Sequence, residues 1–172
     1  MTRYGCIVAD PPWWESGGGR IARGAQRHYS LMKDAEIIAL APRVRELAAE
    51  DSHLYLWVTN NFLPSGLRVM AAWGFQYLTL ITWGKVGNIG LGQYYRGATE
   101  HVLFGRRGQP QYRTLPNGKR AQGMTLFLAP RGEHSQKPEQ LQDWAEQVSP
   151  GPYAELFARR VRPGWDNIEV KA

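Results

Sequence analysis

Gly5-Cys6-Ile7-Val8-Ala9-Asp10-Pro11-Pro12-Trp13 is the stretch from which the rest of the chain is placed. Gly5 to Ala9 has the length and apolar character of a short buried strand. It stops abruptly at Asp10. Pro11 and Pro12 have no N–H to continue a ladder, and their fixed φ angles hold the turn rigid. In open α/β sheets ligands bind outside the carboxyl ends of the strands, near a topological switch point. A carboxylate at the end of the first strand is therefore the natural place to look for chemistry.

Working outward, strand-like and helix-like segments alternate, the pattern of an α/β layered domain. Asp34 reads as an N-cap for a helix through Ile38, broken at Pro42 and resumed to Glu50. His53 to Thr59 reads as a strand and Phe62 to Trp73 as a helix, closed by Gly74 at the C-cap. Gln76 to Trp83, Thr99 to Phe104 and Met124 to Leu128 are further strands. A helix follows from about Pro138 to Val148, then a last strand, Tyr153 to Phe157, and a short extended piece at Ile168 to Val170. Three long loops, 14–28, 84–98 and 106–122, are rich in glycine and basic residues, and loops of that length usually serve function. The second and third are the expected substrate readers, or else a dimer interface.

The 172 residues fit a single domain, 1–172, and the 43% hydrophobic content argues for a folded core. The formal charge of +6 raises the expectation of an anionic partner. One cysteine, Cys6, excludes an intramolecular disulfide framework and a Cys-rich zinc site, and no metal centre is expected. No signal peptide and no apolar run of membrane-spanning length appears. The sequence predicts a cytoplasmic protein with no membrane partner.

Further motifs accompany Asp10-Pro11-Pro12-Trp13. They are Gly24-Ala25-Gln26-Arg27-His28-Tyr29 with Met32, Leu56-Trp57-Val58-Thr59-Asn60, and Trp73-Gly74-Phe75 leading into Thr82-Trp83-Gly84-Lys85. Gly90-Leu91-Gly92 follows, with Arg96, Glu100 and Gly105. Last come Ser135-Gln136-Lys137-Pro138-Glu139, Glu155-Leu156-Phe157-Ala158-Arg159 and Pro163-Gly164-Trp165. In this order they resemble the DPPW-type N6-adenine methyltransferases (the "MT-A seventy" family). That family includes the catalytic subunit of the eukaryotic messenger-RNA adenosine methyltransferase and small bacterial and phage members. The resemblance runs almost end to end.

It implies a Rossmann-like S-adenosylmethionine-dependent methyltransferase fold in permuted motif order, catalytic loop first and cofactor strand last. It further implies that Asp10, Pro11, Pro12 and Trp13 are catalytic. Asp10 and Lys137 would lie at the methionine end of S-adenosylmethionine, Lys137 pairing with its carboxylate, and Glu155 and Arg159 toward its adenosine. Tyr29 and Glu100 match positions lining the acceptor-base pocket, with His28, Lys85 and Arg96 as further substrate contacts.

The residues themselves suit this chemistry. The adenine N6 lone pair is delocalised into the ring, and a carboxylate and a carbonyl accepting its two N–H bonds would localise it. Asp10 and Pro11 supply those acceptors, and Trp13 offers a wall for a flipped base. The sequence departs from the family after Trp165, where Asp166-Asn167-Ile168-Glu169 replaces a Gly-Asn pair. Asn167 or Glu169 is the expected substitute for the ribose contact. DNA is the expected substrate. RNA methylation, a non-catalytic nucleic-acid-binding subunit and a small-molecule methyltransferase are the alternatives, and a homodimer is expected from the resemblance.

Overall fold

The computed structural model describes residues 2–14, 31–92, 94–132 and 136–170. Its elements in chain order are β1 (Tyr4–Ala9), α1 (Asp34–Ala39), α2 (Ala41–Leu47), β2 (Ala48–Val58), a 3-10 turn (Asn60–Phe62) and α3 (Leu63–Ala72). There follow β3 (Gln76–Val86), β4 (Thr99–Arg107), β5 (Leu126–Pro130), α4 (Gln140–Val148), β6 (Tyr153–Leu156) and β7 (Trp165–Ile168). The strands form one seven-stranded sheet in the order β5-β3-β4-β2-β1-β6-β7. β1 is flanked by parallel β2 and β6, while β4 runs antiparallel to both β2 and β3. This mixed α/β sheet is that of a Rossmann-like methyltransferase.

β1 is buried along its whole length, and strand alternation sends its side chains to two different cores. Ile7 and Ala9 join Leu54, Leu56 and Val58 beneath α1, α2 and α3, with Ile37, Val44, Val69 and Trp73 from the helices. Cys6 and Val8 join Tyr55, Trp57, Trp83, Val102 and Phe127 on the other face, where α4 contributes Leu141 and Ala145. A strand buried on both faces is a continuous apolar run, as the sequence reads. Among the described residues no helix is long and apolar enough to cross a membrane.

Several boundaries differ from the sequence reading, each for a local reason. Lys33, not Asp34, caps α1: its N–H donates to Glu36 Oε2 at 2.6 Å. Asp34 instead ties α1 to α3 by accepting from Ser65 and Arg68. The helix is broken near Pro42 as read: the break falls at Leu40, and Pro42 sits in the first turn of the second helix, where its missing N–H costs nothing. That helix ends at Leu47 rather than Glu50, because Ala48 to Asp51 already belong to β2, which shifts register against β1 before His53 pairs with Cys6. β3 runs on to Val86, so Lys85 lies on a strand and not in a loop beginning at 84. β7 starts at Trp165, not Ile168, and lies parallel to β6. Gly74 closes α3 as read, at φ +90° with its N–H on the Ala71 carbonyl.

α3 approaches the sheet closely because Gly66 has no side chain. A Cβ there would collide with the Val58 side chain and lie 2.8 Å from Leu103 Cδ1. Gly66→Ala should therefore lower stability by about 1–2 kcal/mol in chemical denaturation, overpacking outweighing the gain in helix propensity. Equal or greater stability would mean that α3 is not seated this tightly.

Candidate active site

The site forms at the carboxyl ends of β1, β2 and β6. Alternation past Ala9 puts Asp10 on the α4 face, together with Trp57 of β2 and with Trp83 and Lys85 of β3. The β3–β4 register pairs Trp83 with Glu100, which brings that carboxylate to the same face. Asp10 is 6% exposed.

Burial at this level is costly for a carboxylate unless it is paired. Lys137 Nζ lies 3.3 Å from Asp10 Oδ1, and Arg159 Nη2 lies 3.2 Å from Oδ2. The same Lys137 ammonium is 2.9 Å from Glu100 Oε2, and Lys85 Nζ is 2.7 Å from Glu100 Oε1. Lys137 also stands 5.4 Å from the centre of the Trp57 ring, and Lys85 5.2 Å from that of Trp83. Acid and base thus alternate through a connected chain, Lys85–Glu100–Lys137–Asp10–Arg159.

Burial alone would raise the Glu100 carboxyl, but Lys137 and Lys85 outweigh it and hold the group below its usual range. Burial alone would lower the Lys137 ammonium, yet Asp10 and Glu100 together hold it above its usual value. Glu100 Oε2 is closed off from water, and its partner is the Lys137 ammonium at 2.9 Å.

The turn after Asp10 is braced on both sides. The Trp13 N–H donates to the Pro11 carbonyl at 2.9 Å, and the Met32 N–H donates to the Pro12 carbonyl at 2.8 Å. A carbonyl has two lone pairs, so Pro11 retains one. Trp13 stacks on Phe62 with ring centres 5.5 Å apart, and its indole N–H donates to the Trp57 carbonyl at 3.0 Å. At 9% exposure it serves the core as well as the rim.

Glu155, on β6, is 9% exposed. Burial raises its carboxyl above the usual range, partly offset by Gln142 and Arg160. Gln142 donates to Glu155 Oε2 at 2.9 Å and accepts from Arg160 at 2.9 Å, so one amide joins α4 to the segment after β6. Asn167 is level with Glu155 in the β6–β7 register, and its amide donates to the Arg160 carbonyl at 2.9 Å. Phe157, with φ +62°, takes a conformation unusual for a bulky residue, just where the chain turns from β6 toward Arg159.

The expected residues thus fall into two groups. Asp10, Lys85, Glu100, Lys137 and Arg159 are joined by ion pairs, and Asp10, Lys137, Glu155 and Arg159 line one cleft with Trp57, Gln136, Gln142 and Arg160. Arg96 is exposed in the β3–β4 connection, its Nε 3.3 Å from the Gly90 carbonyl. His28 and Tyr29 lie outside the described residues. The 84–98 segment springs from this end of the sheet. The 106–122 segment leaves from the opposite end, because β4 runs antiparallel to β2, and its Arg113 donates to the Glu146 carbonyl and to Tyr153.

Sequence reading gave no role to Trp57, Gln136, Gln142 or Arg160. Trp57 is indistinguishable from core in an apolar run. Gln142 left a legible sign, a polar residue directly after Leu141 on the buried stripe of α4.

The comparisons with known proteins agree with this geometry. Residues 4–169 match the MT-A70 family model. The chain belongs to the MT-A70 family. It is 29% identical to the type II methyltransferase M.MunI of Mycoplasma sp over 96% of this chain and 76% of that protein. It is 26% identical to the human N(6)-adenosine-methyltransferase catalytic subunit METTL3, over 96% of this chain and 27% of that protein. It is 25% identical to the Drosophila melanogaster N(6)-adenosine-methyltransferase MT-A70-like protein, over 96% of this chain and 26% of that one. The chain thus spans about a quarter of these two eukaryotic relatives.

The cleft fits the family's methyl donor, S-adenosylmethionine. The ion-paired chain has three cations, Lys85, Lys137 and Arg159, against two carboxylates, Asp10 and Glu100. Lys137 and Arg159 suit the donor's carboxylate, Asp10 suits its ammonium, and Glu155 with Asn167 offers acceptors and a donor to hydroxyl groups.

Lys85→Met removes one partner of a buried pair and should cost about 3 kcal/mol in denaturation at neutral pH. Glu100 has a depressed carboxyl, so it contributes stability above its unfolded pKa that is lost as pH falls through the folded value. Without Lys85 the Glu100 carboxyl rises, and the acid-induced loss of melting temperature should begin at higher pH than in the native protein. An unchanged acid limb in the variant would contradict the pairing.

Proposed function

We propose that residues 1–172 act as one methyltransferase domain that methylates the N6 amine of adenine in DNA, with Asp10 and Pro11 gripping the amine. Adenine-N6 methylation with S-adenosylmethionine as donor is the chemistry of the family to which the chain belongs. The proposal adds the polymer and the role of each residue. It rests above all on Asp10, a buried carboxylate at the carboxyl end of β1, with cations on both oxygens and Glu100 beyond one of them.

The donor supplies an electrophilic methyl group when bound. Lys137 holds its carboxylate end near Asp10; Arg159, expected toward the adenosine, is paired with Asp10 and so joins Lys137 there, while Glu155 and Asn167 receive the ribose. A carboxylate has about four lone-pair sites, so the two cations leave Asp10 able to accept from an N6 proton. The Pro11 carbonyl accepts the second N–H. Together they localise the nitrogen lone pair, and Asp10 stabilises the positive charge that N6 gains until a proton is lost. Glu100, held ionised by Lys85 and Lys137, keeps the Lys137 ammonium in place beside Asp10 and borders the base site. Trp13 walls the base, His28 and Tyr29 are the further substrate contacts that the resemblance implies, and Arg96 lies at the nucleic-acid backbone.

The preference for DNA rests on likeness in length to the Mycoplasma type II methyltransferase, which the chain covers over 76%. A cytoplasmic location and a homodimer belong to the same reading. Edge strand β5, with Leu126 52% and Leu128 65% exposed, is the surface that suits a second copy.

The reading is tested by transfer of labelled methyl to matched DNA and RNA oligonucleotides, single- and double-stranded, with nucleoside mass spectrometry of the products. N6-methyladenine in DNA is expected; product in RNA alone would replace the polymer, and no product in any would remove the activity. Asp10→Ala should lower kcat by about 10²- to 10⁴-fold with the fold retained. Lys137→Ala should weaken donor binding by about 10- to 100-fold in calorimetry, the effect of losing a charged hydrogen bond. Native-like values in either variant would contradict the assigned role.

A further inference from the structure

The connection between β3 and β4 carries two adjacent tyrosines that the protein itself does not cover. Tyr94 is 90% exposed and Tyr95 91%, with Leu91 at 70% nearby. Single exposed apolar residues need no explanation. A neighbouring pair of nearly bare aromatic rings does, because large apolar surface left in water forgoes the stabilisation that burial would give.

The segment that presents them is braced. The Lys85 N–H donates to the Ala98 carbonyl at 2.8 Å, the Gly90 N–H to the Gly97 carbonyl at 2.8 Å, and the Gly97 N–H to the Leu91 carbonyl at 3.3 Å. The Arg96 guanidinium adds a contact to the Gly90 carbonyl. At Gly92 a Cβ would collide with the Tyr95 carbonyl, so only glycine permits this tight return. The tyrosines are held out by backbone bonds.

The root of this projection is the active site. Its two stems end in Lys85 and Glu100, which pair with each other, and Glu100 reaches Asp10 through Lys137. From residue 84 to residue 98 the sequence has Lys85 and Arg96 and no acidic residue. A surface rooted beside the catalytic carboxylate, aromatic at its tip and free of negative charge, suits an anionic polymer with π-faces. Adenine N6 chemistry also creates a need for it. The target base must leave its stack, and its neighbours then lose a stacking partner. Tyrosine supplies a flat face with little conformational entropy to lose, and stacking on it tolerates any base.

We propose that Tyr94 and Tyr95 form a stacking platform for the nucleobases adjoining the target adenine in the substrate strand. The proposal rests on the nucleic-acid reading above and adds the surface that grips the strand.

The test is fluorescence anisotropy of a labelled single-stranded deoxyoligonucleotide with one adenine. Its arms are the native protein, Tyr94→Ala, Tyr95→Ala, the double alanine variant and the double phenylalanine variant. Donor affinity by calorimetry and molar mass by light scattering are measured alongside. Each alanine should weaken oligonucleotide binding about 5- to 100-fold, the range for loss of one base–aromatic stack. The phenylalanine pair should stay within about threefold of native, and donor affinity and molar mass should not change.

Native-like oligonucleotide affinity in the double alanine variant would overturn the proposal. So would a loss that tracks with a change in molar mass, which would assign the tyrosines to contact with a second copy, or a native protein that binds no oligonucleotide. A native protein that binds but transfers no methyl would remove the enzymatic reading and leave the platform standing. Methyl transfer with unaltered affinity in the variants would do the reverse.

Discussion

Asp10 is a carboxylate held almost out of water at the end of β1, and the surroundings are organised by what that requires. An isolated charge at that depth would cost several kcal/mol, more than most domains can lose. Lys137 comes to it from the segment before α4 and Arg159 from the segment after β6, one on each oxygen. Each cation is itself removed from water, so Lys137 takes Glu100 as a second partner and Glu100 takes Lys85. Segments from five parts of the chain are thereby tied at one point, and that point is open to a cleft. A carboxylate has about four lone-pair sites, so the two cations leave Asp10 acceptor capacity toward the cleft.

The fold delivers these groups by alternation and register. Asp10, Trp57, Lys85 and Glu100 share a face because each lies an even number of residues from a side chain in the second core: Val8, Tyr55, Trp83 and Val102. The helices on the opposite face only fix the sheet. α4 does more, since Gln142 passes through its buried stripe to meet Glu155. Directly after β6, Phe157 holds a left-handed conformation as the chain turns toward Arg159.

The sequence carried the strand order less well than the strands. β1 and its terminal Asp10 were legible because a buried strand followed by two prolines has few other readings. Lys85 and Glu100 could be named from the resemblance, but their pairing depends on the β3–β4 register, which no local pattern fixes. The end of α2 was misplaced because Ala48, Ala49 and Glu50 favour helix, while the pairing of Ala48 with Tyr4 of β1 already begins a strand there. The basic segment 106–122 looked like a substrate reader by composition. Its position is set by the antiparallel course of β4, which carries it to the far end of the sheet. Asn167 was singled out as a substitute for a missing family motif; it lies level with Glu155 in the β6–β7 register.

The most direct measurement is a crystal structure of the protein with a bisubstrate analogue in which adenosine is joined through N6 to the donor's methionine portion. The account predicts that the linked nitrogen lies within hydrogen-bonding distance of a carboxylate oxygen of Asp10, with Lys137 at the analogue's carboxylate. An N6 atom held elsewhere, with Asp10 still paired only to Lys137 and Arg159, would contradict it and leave the buried carboxylate as a purely structural device.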